Sequence, residues 1–271
     1  FLGAAFVEVN SGYYLAIRDR REYDVRRSRC RLLSMTLSSK KIAATRFREQ
    51  IRRSNELHVE YLDDPQLLES YDRFATWQLQ YLLPFFNDLY AQQGYAAAID
   101  FTMSDLAGVG ISRRDQDLER VAPVITTMLP TRALETLASA AEMNARVLKV
   151  NIAICRCLLV NNALPDVITE RAYCAACREA SSLEECVELV HLVAGLGHTL
   201  KSLVRVPMIG ILLRTMRGPA HAAGFGALQE FLEKGYSTFR EIPDIDHFLG
   251  EIEGRMISVF ERIYTLPMHR L

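Results

Sequence analysis

An all-α fold, a single multi-helix bundle of about ten to twelve helices, is predicted by three observations. Apolar side chains recur at every third or fourth position along most of the chain. Strict two-residue alternation, the signature of a half-buried strand, is nearly absent. Helix start and stop signals follow one another at short intervals, so consecutive helices should be joined by short loops and pack antiparallel. The 271 residues are 49% apolar and 24% charged. That is the balance of an ordinary globular domain, with enough apolar surface to offset chain entropy.

The elements follow in order. A first helix is predicted from about Ala4 to Arg18. Asp19 with Glu22 resembles a capping box and opens a basic helix to about Leu37. Ser38 and Ser39 separate it from a third, Lys40 to about Leu62, unless the two run on as one. Asp64-Pro65 supplies an N-cap acid and a proline at the first helical position. The pattern then runs to Gln93, with Pro84 expected to kink or split it and Gly94 to cap its end. Ser104 to Ile111 reads as a loop, and Ser112 with Asp115 caps a helix to about Leu129. The longest helix is expected from Arg132 to about Val160, with Leu134, Leu137, Ala141, Leu148 and Ile152 in its apolar stripe. Another spans about Val167 to Ala180. Ser182 and Glu185 form a capping box for a helix to about Val204. Pro207, Gly218-Pro219 and Pro243 punctuate the rest, and a last helix covers Ile245 to Tyr264. No Ser/Gly/Pro-rich linker divides the chain. Residues 1–271 are therefore expected as one domain, with a basic N-terminal helical hairpin or arm (1–62) and a main bundle (65–265).

Composition narrows the function classes. The longest uninterrupted apolar stretch of concern, Val206 to Leu213, is bracketed by Arg205 and Arg214. It is far shorter than the roughly 20 residues a bilayer span needs, so no transmembrane segment is expected. The apolar opening, Phe1 to Val7, lacks a basic flank, and no signal peptide is expected. The six cysteines lie mostly in helix-patterned apolar runs, which suits reduced thiols in a cytoplasmic protein.

Four local signals bear on chemistry. The net charge of −1 conceals an asymmetry: residues 1–53 hold 13 Lys and Arg against 5 acids, and the remainder is acidic. Arg20, Arg21, Arg26, Arg27, Arg29 and Arg31 crowd one stretch, and Lys40, Lys41, Arg46, Arg48, Arg52 and Arg53 continue it. Such a stripe suits the phosphates of nucleic acid or anionic lipid, or else docks on the acidic remainder. Cys174-x-x-Cys177, followed by Cys186 and His191, offers four ligand types for tetrahedral zinc, although the pair sits mid-helix without the usual turn. Small core residues are the plainer account. Glu184, Glu188, His191, Gly195 and His198 share one helix face, and Glu188-x-x-His191 is the fragment used in helical di-iron bundles. No second such fragment occurs, and a solvated polar stripe explains the face as well. Gly108-x-Gly110 before Ser112 could hold a phosphate at a helix start, but Asp115, Asp117 and Glu119 already complement that terminus. No P-loop, nucleophile elbow or kinase signature is present.

Two patterned segments carry a resemblance. One is Ser104-Asp105-Leu106-Ala107-Gly108 through Ser112-Arg113-Arg114-Asp115, with Asp117-Leu118-Glu119-Arg120-Val121 and Leu129-Pro130. The other is Arg217-Gly218-Pro219-Ala220, then Gly224-Phe225-Gly226-Ala227-Leu228-Gln229 and Phe231-Leu232-Glu233. Over about two thirds of the chain, from near Phe101 onward, it resembles an uncharacterised bacterial all-helical family described as a domain of unknown function. The resemblance implies a bacterial helical protein and brings no catalytic residue and no cofactor. The expected function is a non-enzymatic interaction or regulatory module whose partner is a protein, with a homo-oligomer among the possibilities. The alternatives are a binder of nucleic acid or anionic lipid through the arginine-rich helices, and a helical metal protein or enzyme using Cys174, Cys177, Cys186, Glu188, His191 and His198.

Overall fold

The computed structural model describes residues 39–60, 62–102, 111–161, 168–265 and 267. Among these residues the chain is all-α, with no strand. The helices are α1 (39–60), α2 (Pro65–Leu82), α3 (Asn87–Tyr90), α4 (Ala96–Asp100), α5 (Ile111–Met128), α6 (Thr131–Val160), α7 (Glu170–Ala180), α8 (Leu183–Val204), α9 (Pro207–Ala222), α10 (Gly226–Glu241) and α11 (Ile245–Thr265).

The caps act where the sequence places them. The Asp64 carboxylate accepts from the amides of Gln66 and Leu67, each at 3.1 Å, and Pro65 opens α2. Ser182 Oγ accepts from the Glu185 amide at 3.1 Å and starts α8. Thr169 Oγ1 accepts from Ala172 at 3.2 Å and starts α7, slightly later than the periodicity alone suggests. Pro84 converts the end of α2 into a 3-10 turn, Leu83–Phe86, before α3. Gly94 then turns the chain at φ +90°, a conformation that favours glycine. A β-carbon there would also lie 2.8 Å from Pro243 Cδ. Gly218-Pro219 does not end a helix: α9 continues to Ala222. The proline removes only the bond to the Thr215 carbonyl, on the water-facing side of the helix, where solvent replaces it.

Two cores hold the bundle together. In the first, Leu67 and Phe74 of α2 meet Leu148, Ile152 and Leu158 of α6, Tyr173 and Cys177 of α7, and Val259 and Ile263 of α11. Tyr173 is wholly buried among Phe74, Trp77 and Tyr81, with ring centroids 5.0–6.3 Å apart, and its hydroxyl oxygen accepts from Gln78 at 3.1 Å. In the second, Phe86, Leu89, Ile99 and Phe101 pack on Phe239 of α10 and on Ile245, Phe248 and Ile252 of α11. Helix α1 seals the flank: Phe47 and Ile51 meet Ala122 of α5 and Ala138 of α6, and Ala43 and Ala44 meet Leu134. Among the described residues, α9 is the one long helix with no side chain in any of these clusters.

Candidate functional site

Arg20, Arg21, Arg26, Arg27, Arg29 and Arg31 lie outside the described residues, as does Gly108-x-Gly110. The basic run continues into α1, and there three of its cations dock on neighbouring helices. Arg46 pairs with Glu142 of α6. Arg48 donates to Thr126 Oγ1 at 2.7 Å, and Lys40 donates to the Thr127 carbonyl at 2.8 Å, both on α5.

The cysteine and histidine set is split by the helix phase. Cys174 and Cys177 on α7 and Cys186 on α8 are buried. His191 is five residues past Cys186, roughly 140° around the helix, and it is exposed. Cys186 Sγ lies 3.6 Å from the Tyr264 hydroxyl, which donates to the Cys177 carbonyl at 3.0 Å. Burial in apolar surroundings pushes the Cys174 thiol up to about 11 and the Cys155 thiol up to about 12. Both are far from the thiolate that binds metal or attacks an electrophile.

Glu188, His191 and His198 do share an exposed face, as the spacing predicts. Each is tied to a different neighbour. Arg146 of α6 donates to Glu188 at 3.0 Å, His191 Nδ1 lies 2.6 Å from Glu253 Oε1 of α11, and His198 Nδ1 lies 3.5 Å from Asp246, which also holds Lys201. The stripe is a seam of cross-helix pairs rather than a convergent ligand set. Among the described residues no three His, Cys, Asp or Glu side chains come together as a metal would need.

An open groove of about 520 Å³ runs along α11, lined by Phe85, Gly250, Gly254, Arg255 and Arg262. Its arginines are engaged. Arg255 donates to Asp88 Oδ2 at 2.8 Å, to Glu251 Oε2 at 2.8 and 3.0 Å and to the Phe85 carbonyl at 3.1 Å. This guanidinium holds the Asp88 carboxyl down at about 2. Arg262 donates to Glu170 at 3.0 Å, which also accepts from Tyr81. An incoming anion would have to displace a carboxylate, so the groove reads as a joint between α11 and the α2–α3 turn.

The feature the sequence did not single out is α9. Met208, Ile211, Leu212 and Met216 fall on one face at steps of three, one and four, and all are exposed, Met208 at 73% and Ile211 at 56%. The opposite face turns toward α10 through buried Gly210 and half-buried Ile209 and Leu213, with exposed polar groups pairing along its edge. Arg217 Nε donates to both Glu233 oxygens at 3.0 and 3.1 Å, Gln229 donates to the Leu213 carbonyl at 2.6 Å, and His221 lies 3.8 Å from Glu230. Gly210 admits the close approach, because a β-carbon there would sit 2.7 Å from the Tyr236 hydroxyl. Helix α9 therefore carries apolar side chains on its outer face as well as its inner one, unlike the usual surface helix. Periodicity marks such a helix as amphipathic but does not say which face meets the core. The apolar run Val206 to Leu213, read only as too short for a bilayer span, and the lack of any acid from Pro207 to Ala222 are the signals that point to it.

Among the described residues, no single helix is long and apolar enough to cross a membrane; α8 and α9 pass that test only as a pair, which is bent by 86°. No curated protein and no solved structure matches the chain. A family model described as a domain of unknown function, DUF8198, matches residues 58–267, from the end of α1 through α11. The chain belongs to that family of all-helical domains of unknown function.

Proposed function

We propose that the chain is a non-enzymatic helical interaction module and that the apolar face of α9 is its docking surface. The observation that carries this reading is the exposed apolar face of α9. Met208, Ile211, Leu212 and Met216, with Val206 beside them, leave about 500 Å² of contiguous apolar side chain in water, at the upper end for a monomeric protein. Covering that area is worth on the order of 10 kcal/mol before the entropy of association is subtracted. Two methionines at the ends of the face give it an adaptable surface, as interfaces often have. Cys174, Cys177 and Cys186 are buried, His191 is held by Glu253, and Lys40, Arg46 and Arg48 of α1 are used against α5 and α6.

An environment-sensitive naphthalene sulfonate dye tests the surface, measured on protein diluted until it sediments as a monomer. The parent should bind dye with a blue-shifted rise in fluorescence. Ile211→Gln/Leu212→Gln should lose most of that rise with its far-ultraviolet circular dichroism unchanged. Equal binding by both proteins would refute the docking surface, and so would no binding by the parent.

A further inference from the structure

We propose that α9 pairs with α9 of a second copy of this chain, antiparallel, about a two-fold axis through Leu212. The inference rests on reading the α9 face as an interface, and it names the occupant.

A two-fold contact requires a patch that is complementary to itself. Met208 and Met216 stand four residues on either side of Leu212. An axis through Leu212 therefore sets Leu212 against its own copy and Met208 against Met216 of the second copy. Ile211, 56% exposed, fills the same seam. The palindrome Met-x-x-x-Leu-x-x-x-Met lies on the exposed face, where its symmetry has a use, and none of its side chains belongs to a core cluster of the described residues.

Charge points the same way. The exposed face carries no charged side chain between Met208 and Met216; Arg214 and Arg217 sit on the opposite face, Arg217 against Glu233 and Arg214 Nε 3.2 Å from the Gly210 carbonyl. Self-pairing thus brings no like charges together. The exposed Arg205 lies seven residues before Leu212, and Pro219 seven after it. The antiparallel arrangement puts Arg205 of each copy beside the negative, C-terminal end of the other copy's α9.

Area is sufficient. Two such faces offer at most about 1,000 Å² for burial, the lower bound of a specific interface, which suits a dimer that dissociates at micromolar concentration. A lipid surface fits less well. The face has no aromatic side chain to seat at a headgroup boundary, and the α9 cations are already engaged.

Sedimentation equilibrium of the full chain over about 1–100 µM, the range in which interfaces of this size commonly dissociate, reads the proposal. The mass should rise from 30.8 kDa toward twice that value. Leu212→Glu puts two carboxylates on the axis and should raise the dissociation constant about 100-fold or more. A mixture of Met208→Cys and Met216→Cys chains should be joined by a short bis-maleimide, while each chain alone, and the parent with its native thiols, should not. That mixed cross-link also settles the register if Leu212→Glu fails to fold. A 30.8 kDa species at every concentration overturns the proposal. So does a dimer undisturbed by Leu212→Glu, or a cross-link from Met208→Cys alone. Monomers that still bind dye through Ile211 and Leu212 would leave the interface reading standing and remove the second copy as its occupant. Co-sedimentation of such monomers with phosphatidylglycerol vesicles would give the face to lipid instead.

Discussion

Burial decides what the thiols of α6 and α7 can do. The Cys174 and Cys155 thiols are pushed up to about 11 and about 12 because the ionised sulfur loses its hydration among apolar neighbours. In the unfolded chain they ionise near the ordinary value of 9. Folding therefore holds their protons more tightly than unfolding does. The stabilising difference is fully present below pH 9 and is lost as pH rises from there toward 11 and 12. Urea unfolding midpoints should fall steadily across that window, and Cys155→Ala/Cys174→Ala should flatten the fall. An unchanged slope in the double variant would contradict the assignment. At this scale the sequence was partly legible. The helical run around Cys174 and Cys177 argued for core cysteines, and the five-residue step from Cys186 to His191 already turned them apart. It could not say that Glu188 would be held by α6 and His191 and His198 by α11, because those partners lie far along the chain.

Single elements were legible wherever a side chain fixes a backbone terminus. Asp64, Ser182 and the proline at position 65 act locally, and the structure places α2 and α8 where they predict. Asp64→Ala should cost about 1 kcal/mol, because its carboxylate accepts two first-turn amides, while Asp64→Asn should recover most of that loss. Urea unfolding of the two variants checks this; equal losses in both would show that charge rather than cap geometry matters. The short helix α4 escaped notice because its five residues, Ala96–Asp100, carry no capping side chain and are held by Ala98 and Ile99 in the second core. Helix α9 escaped in a different way. Pro207 and Gly218-Pro219 read as punctuation, and its orientation depends on contacts with Glu233, Gln229 and Tyr236 of α10.

At the scale of the molecule, two cores and the α1 flank account for the stability of the bundle, and α9 stands outside all of them among the described residues. The all-α class followed from periodicity, since every long helix shows the three-to-four spacing. The division of labour between helices that build the core and a helix that offers its apolar face outward did not, because it arises only when the helices meet. The account therefore makes a claim that separates folding from binding: Met208, Ile211, Leu212 and Met216, on the exposed face of α9, contribute little to holding the monomer together. The direct measurement is urea unfolding of Leu212→Gln beside Leu134→Ala, both diluted to the monomer. Leu134 is fully buried between α6 and α1, and its truncation should cost about 2–5 kcal/mol. Leu212→Gln should change stability by less than about 0.5 kcal/mol. A loss at Leu212 as large as that at Leu134 would show that α9 turns its apolar face into the protein, and would contradict the account.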